Sequence, residues 1–170
     1  MLARRLLSTV PENAISALSA FKNSCYHKID FRIGEDVTVD NAVKRFSMFN
    51  VGCLAVTDTK QNVVGVLSER DYINKVSALC KDDTKVKVRD ICTYSPNIII
   101  AKKNDTIEQC MNKMLIKDIR HLLVIDEVSN ECVGLISIKD LIKEIMKNKN
   151  NIITRLTDFN TGKGGYFGSE

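Results

Sequence analysis

Residues 36–75 and 104–144 carry the same features in the same order, so whatever this chain folds into must accommodate one unit twice. Thr38, Leu54, Val56 and Asp58 recur as Thr106, Leu122, Val124 and Asp126, at a constant offset of 68 (106 minus 38). After one extra residue in the second copy, Gly65, Ser68, Asp71 and Ile73 recur as Gly134, Ser137, Asp140 and Ile142, at an offset of 69 (134 minus 65). A single insertion confined to a turn is what duplication of a folded unit leaves behind, because an insertion inside a strand would move its buried side chains to the other face.

Each copy reads as helix, two short strands, helix. A hydroxyl residue opens the first helix, and apolar side chains follow at the i, i+3, i+4, i+7 spacing of one helical face. These are Val39, Ala42, Val43 and Phe46 in the first copy, and Ile107, Cys110, Met111 and Met114 in the second. Thr106 followed by Gln109 has the form of a capping box. Strands are expected at Cys53 to Thr57 and Val63 to Leu67, and again at Leu122 to Ile125 and Cys132 to Ile136, around polar turns. Helices at Glu69 to Leu79 and Ile138 to Lys147 close the units. The β-branched run Asn97 to Ala101 adds a strand before the second copy, with Phe31 to Ile33 its weaker counterpart. One such unit is too small to bury its own apolar faces. The expected fold is therefore an α/β (α+β) module over residues 25–150: two repeats, each a small sheet with two helices, packed sheet to sheet with pseudo-twofold symmetry.

Composition narrows the function by exclusion. No apolar run approaches the ~20 residues that a membrane-spanning helix needs. The net charge is +4 at pH 7, but Arg4, Arg5, Lys22 and Lys28 against Glu12 place +3 of it within residues 1–28. The nearly neutral body lacks the basic excess with which a fold neutralises nucleic-acid phosphates. Residues 1–21, with two arginines, several hydroxyl groups and one acid, have the composition of an amphipathic organellar targeting segment and lack the continuous apolar stretch of a secretory signal. An ordinary helix capped near Pro11-Glu12-Asn13 is the alternative. Residues 1–24 are thus expected to be a mitochondrial targeting segment or extension, 25–90 and 91–150 the two repeats, and 151–170 a C-terminal extension. The six cysteines, Cys25, Cys53, Cys80, Cys92, Cys110 and Cys132, show no C-x-x-C and no short spacing to His27 or His121, so neither a zinc site nor a disulfide framework is expected. Cys53, Cys110 and Cys132 lie in apolar stretches and read as core, as do Met48, Met111 and Met114.

The candidate binding residues stand at the start of each closing helix. Gly65-Val66-Leu67-Ser68-Glu69-Arg70-Asp71 and Gly134-Leu135-Ile136-Ser137-Ile138-Lys139-Asp140 share one pattern, in which Ser-x-x-Asp is by itself a capping box. Taken with Ile119-Arg120-His121-Leu122-Leu123-Val124-Ile125-Asp126, these segments resemble the cystathionine β-synthase (CBS) domains, in tandem and in the right order over about three quarters of the chain. The departure is Leu123, where the family has proline. The resemblance implies a Bateman module, a CBS pair whose clefts in many relatives hold the adenosine nucleotides AMP, ADP or ATP. In such a site the Asp accepts hydrogen bonds from the ribose hydroxyls. The Ser and neighbouring backbone N–H groups favour the phosphate, and Arg70 or Lys139 adds charge.

By the same resemblance the clefts interleave. One combines Ser68, Arg70 and Asp71 with Thr93, Ile98, Ile99, Ile119 and Arg120. The other combines Ser137, Lys139 and Asp140 with residues near Tyr26, Phe31, Val51 and Gly52. Gly52 stands where the second repeat has Arg120, so the second cleft is expected to be the less basic and the one holding Asp71 and Arg120 the stronger binder. His121 reads as a structural histidine. Cap and ligand site stand side by side as readings of Ser-x-x-Asp.

No catalytic set emerges: the sequence has no nucleophile elbow, Walker loop or metal cluster. The run Asn160 to Gly168 contains Gly-Lys-Gly-Gly, but with no strand before it the run is not a phosphate loop. Together with Asn50-Val51-Gly52 and Ser68-Glu69-Arg70-Asp71-Tyr72, it resembles mitochondrial CBS proteins with a single pair. The expectation is a non-catalytic regulatory homodimer of the mitochondrial matrix that binds an adenine nucleotide and acts in trans on an unidentified mitochondrial protein. No metal, nucleic-acid partner or membrane span is expected. Two alternatives stand: a structural or assembly subunit of a respiratory complex, and a redox-linked regulator of a thioredoxin-type partner.

Overall fold

The structure, a computed structural model, describes residues 15–160, with side chains through residue 157. In chain order the elements are α1 (Ala17–Lys22), β1 (Arg32–Gly34), α2 (Val39–Phe49), β2 (Cys53–Thr57), β3 (Val63–Ser68), α3 (Glu69–Lys75), β4 (Thr93–Tyr94), β5 (Ile100–Lys102), α4 (Ile107–Ile116), β6 (His121–Ile125), β7 (Cys132–Ser137) and α5 (Ile138–Asn160). The first sheet has the order β1-β2-β3-β4 and the second β5-β6-β7. In each, the leading strand runs parallel to its neighbour and the central hairpin is antiparallel. The duplication extends to irregularities, since β2 slips register between Val56 and Thr57 and β6 between Val124 and Ile125. Leu54, Ala55 and Val56 of β2 and Leu122, Leu123 and Val124 of β6 are buried in one continuous apolar core.

Tertiary pairing explains where the elements depart from expectation. β4 is only two residues long and exists because it hydrogen-bonds to β3, an edge that no local pattern announces. The strand expected at Asn97 to Ala101 is shorter and displaced to Ile100–Lys102, which leaves Ile98 and Ile99 in the approach to it. The helix expected at Glu69 to Leu79 ends at Lys75, after which Val76 leaves helical geometry and Ser77–Leu79 forms a separate 3-10 turn. Residues 151–160, set apart as part of a C-terminal extension, continue α5 as one helix of 23 residues. Met48 is 74% exposed and no part of the core, whereas Met114 is buried.

The N-terminal boundary also moves, for a reason the repeat itself supplies. The backbone N–H groups that open α2 and α4 have no partner within their own helices. In the first repeat the inter-repeat linker supplies one: Val39 N–H donates to the Val86 carbonyl (2.9 Å), and Val88 N–H donates to Val37 (2.9 Å). In the second repeat the N-terminal segment does the same work, with Ile107 N–H donating to Ile15 (3.2 Å) and Ala17 N–H to Asp105 (2.8 Å). Residues 15–24, grouped by sequence with the extension, are therefore integrated into the second repeat, and Ala17, Ala20 and Phe21 are buried in the common core. Residues 1–14 and 161–170, which carry most of the expected targeting segment and the Gly-rich tail, lie outside the described residues.

The two repeated glycines mark where these segments close over the sheets. A Cβ at Gly65 would lie 2.9 Å from the Thr93 carbonyl of β4, and one at Gly134 would lie 2.5 to 2.8 Å from the Phe21 ring. Gly134→Ala is therefore expected to push α1 off the second sheet and to cost about 1–3 kcal/mol, as overpacking of a filled core does. Urea unfolding of the two chains checks this, and an unchanged midpoint would show that Phe21 can yield. No helix among the described residues is long and apolar enough to cross a membrane.

Candidate functional site

Each closing helix begins at the C-terminal end of a hairpin strand, which points its first turn into a cleft shared with the other repeat. The first cleft is a cavity of about 230 Å³ that brings together Ser68, Arg70 and Asp71 with Thr93, Ile98, Ile99, Ile119 and Arg120. All eight residues named for it from the sequence are in its lining, joined by Asp118 and His121 among others. The second cleft, about 310 Å³, brings together Ser137, Lys139 and Asp140 with Tyr26, Val51 and Gly52. Phe31, expected near it, is instead buried, with its ring edge-on to Phe21 at 6.0 Å.

Both Ser-x-x-Asp segments are capping boxes. Ser68 Oγ donates to Asp71 Oδ2 (2.6 Å) and accepts from Asp71 N–H (3.3 Å), while Ser68 N–H donates to Asp71 Oδ2 (3.0 Å). Ser137 and Asp140 repeat the arrangement at 2.6, 3.3 and 2.9 Å. The copies differ in their second carboxylate oxygen. Asp71 Oδ1 accepts from Lys75 Nζ (2.7 Å), which also donates to the Ile91 carbonyl (2.5 Å). In the second repeat the position of Lys75 is Glu144, a buried acid that accepts from Asn23 Nδ2 (2.9 Å). Asp140 thus keeps one oxygen without a protein donor among the described residues, and Asp71 does not.

Charge is distributed differently from the sequence expectation. The first cleft's lining sets Arg70 and Arg120 against Asp71 and Asp118, formally neutral. Arg70 reaches across the cleft to Asp118, donating to its carbonyl (3.2 Å) and approaching Oδ2 at 3.4 Å. The second cleft sets Arg120, Lys139 and Lys143 against Glu69 and Asp140, a net of +1. It was expected to be the less basic because Gly52 replaces an arginine. It is not, because Arg120 itself reaches that side and α5 adds Lys143, a contribution that no repeat alignment reveals.

His121 lines both clefts, edge-on to the Tyr26 ring at 6.1 Å. Burial, aided by the Arg120 charge and opposed by Asp140, lowers its pKa to about 4, so it is neutral near pH 7. Cys53, the first repeat's equivalent of His121, is pushed up to about 12 by burial and by Asp71, which makes it a thiol rather than a thiolate. Among the described residues no group of three His, Cys, Asp or Glu side chains could hold a metal ion.

What the clefts offer an adenine nucleotide can be read from this inventory. Val66, Ile98, Ile99 and Leu123 give the first one an apolar wall for a base. A helix start with a serine hydroxyl, a carboxylate and arginines give it ribose and phosphate partners, the few convergent polar groups a small-molecule site requires. The fit is better in the second cleft for a diol, since Asp140 has a free oxygen, and in the first for a base.

The comparisons agree with this architecture. The CBS domain pattern matches residues 30–78 and 88–147. The chain is 30% identical over 133 residues to "CBS domain-containing protein CBSX3, mitochondrial" of Arabidopsis thaliana, covering 77% of this chain and 63% of that protein. It is 28% identical over 111 residues to inosine-5'-monophosphate dehydrogenase of Methanocaldococcus jannaschii, covering 65% of this chain but 21% of the enzyme. It thus spans less than two thirds of the length of either relative. Among solved structures, the CBS domain NE2398 is 34% identical with a TM-score of 0.62, covering 68% of this chain and 86% of that one. PAE2072 of Pyrobaculum aerophilum, solved in complex with AMP, is 26% identical with a TM-score of 0.57, covering 64% and 80%. Two sheets built on one repeated plan, clefts at the start of both closing helices and a match spanning both repeats place the chain in the CBS domain family, as a tandem pair.

Proposed function

We propose that this protein is a non-catalytic regulatory module that binds an adenosine nucleotide, AMP, ADP or ATP, in its clefts and acts in trans on a partner protein of the mitochondrial matrix. The observation that carries the reading is the first cleft, where Ser68, Arg70 and Asp71 of one repeat face Ile119 and Arg120 of the other across an apolar-walled cavity. A ligand spanning both repeats can change their relative disposition only through unequal affinity for two states, which is how occupancy would reach a partner. The AMP complex of PAE2072 and the mitochondrial name of CBSX3 support the ligand and the compartment.

Calorimetric titration with AMP, ADP and ATP tests it. Binding with Kd on the order of micromolar is expected, falling at least about ten-fold in one cleft with Asp71→Ala and in the other with Asp140→Ala, through lost charge-assisted hydrogen bonds. Each variant also loses the carboxylate half of its capping box, about 1 kcal/mol of stability, so melting curves accompany the titrations. If no nucleotide gives heat and the variants are merely less stable, the serines and aspartates are caps.

One observation favours a second reading, a scaffold or assembly subunit, for instance of a respiratory complex. α5 leaves Ile142, Ile145, Met146, Ile152, Ile153 and Leu156 exposed at helical spacing, a face suited to a homodimer or another protein. A redox role with a thioredoxin-type partner would rest on Cys25 and Cys80, the exposed cysteines, since burial raises the pKa of Cys53, Cys92, Cys110 and Cys132.

A further inference from the structure

Arg120 lines both clefts, and the two cavities adjoin at Arg120 and His121. The backbone around it is duplicated, with Ile138 N–H donating to the Arg120 carbonyl (2.9 Å) as Glu69 N–H donates to the Gly52 carbonyl (3.1 Å). The side chain is not duplicated. Where twofold repetition would have given each cleft its own guanidinium, the first repeat has glycine, so one arginine stands between two sites. His121 beside it is neutral and supplies no second charge.

Without Arg120 the first cleft's lining is left with Arg70 against Asp71 and Asp118, and the second's with Lys139 and Lys143 against Glu69 and Asp140. Their formal charges then fall to −1 and zero, against zero and +1 with Arg120 present, so the same guanidinium makes each cleft one unit more favourable to an anion. The planar fork of an arginine meets a phosphate bidentately in one direction at a time. Arg120 is exposed, makes no ion pair with any described residue and is therefore not committed to either side.

We propose that the two clefts are coupled through Arg120, so that a phosphate-bearing ligand in one cleft withdraws the guanidinium from the other and binding of two nucleotides is anticooperative. The inference rests on the reading of the clefts as nucleotide sites. The coupling is specific to charge: a nucleoside without phosphate makes no claim on Arg120 and fills the clefts independently. Its size follows from what a charged hydrogen bond is worth, a factor of about ten to a hundred in affinity.

Calorimetry on the full chain separates the possibilities, with AMP and adenosine as the paired probes. Asp71→Ala and Asp140→Ala give the affinity of each cleft with the other disabled. With AMP, the product of the two stepwise association constants of the unsubstituted protein is expected to be at least ten-fold below the product of the single-cleft constants. With adenosine the two products should agree. Arg120→Ala is expected to weaken AMP in both single-cleft backgrounds and to remove the discrepancy, and Arg120→Lys should restore part of the affinity. Agreement of the products for AMP in the unsubstituted protein, or weakening of only one cleft by Arg120→Ala, would overturn the coupling while leaving nucleotide binding intact. No heat from AMP or adenosine in any protein would overturn the nucleotide reading and the coupling with it. Melting curves of the two single-cleft variants accompany the titrations, and the comparison is made at a temperature at which both are folded.

Discussion

A chain that begins at residue 25 should melt about 10–20 °C below one that begins at residue 15. The shorter chain looks like a complete module in the sequence, since both repeats lie within it, but it lacks α1. Phe21, 7% exposed, covers Gly134 on the second sheet, and Ala17 and Ala20 are fully buried. Removing one buried phenylalanine costs about 3–5 kcal/mol, and the backbone bonds from residues 15–18 to the start of α4 go with it. Against a total stability of roughly 5–15 kcal/mol, that is a large share. At about 2–4 °C per kcal/mol for a chain of this size, the shift is visible in any melting curve. Phe21→Ala in the longer chain should reproduce much of it. Two chains melting within about 3 °C of each other would mean that α1 rests on the sheet without stabilising it. A shift of the expected size would limit N-terminal processing compatible with this fold to positions before residue 15.

The reason α1 escaped the sequence reading is physical. The duplication is legible because α2, β2 and β3 rebuild the same buried faces in α4, β6 and β7, and buried positions tolerate few side chains. The segment that closes each repeat, by contrast, is supplied in one case by residues 86–89 and in the other by residues 15–18, which lie outside the duplicated stretches and share their backbone hydrogen bonds but little of their sequence. β4 escaped for a related reason, being two residues whose strand character comes from β3. The length of α5 was masked by the run Lys147 to Asn151, which reads as a solvated helix end although Ile152, Ile153 and Leu156 resume the spacing beyond it. The first cleft was legible through its motif. The double placement of Arg120 was not, because it depends on two sites meeting in space at a residue that belongs to one repeat.

Lowering the pH from 7.5 to 5 should cost the protein about 2 kcal/mol of stability through His121 alone. Its pKa in the fold is about 4, displaced downward first by burial and then by Arg120, with Asp140 acting in the opposite direction. In the unfolded chain an unperturbed histidine titrates near 6.5. Between these values the unfolded state binds the proton and the folded state does not. The contribution is therefore complete above about pH 6.5, falls away as the pH drops, and is lost below about pH 4. At pH 5 the shift in the urea midpoint should be about 1 M for a typical denaturant slope. His121→Asn is expected to flatten the profile in this window. A profile that stays steep without His121 would place the titrating group elsewhere. The prediction bears on function through geometry: His121 lies where the two clefts adjoin, so the price of keeping it neutral is paid in acid stability. While it stays neutral, the positive charge at that junction is Arg120's, which leaves a single arginine to answer both sites.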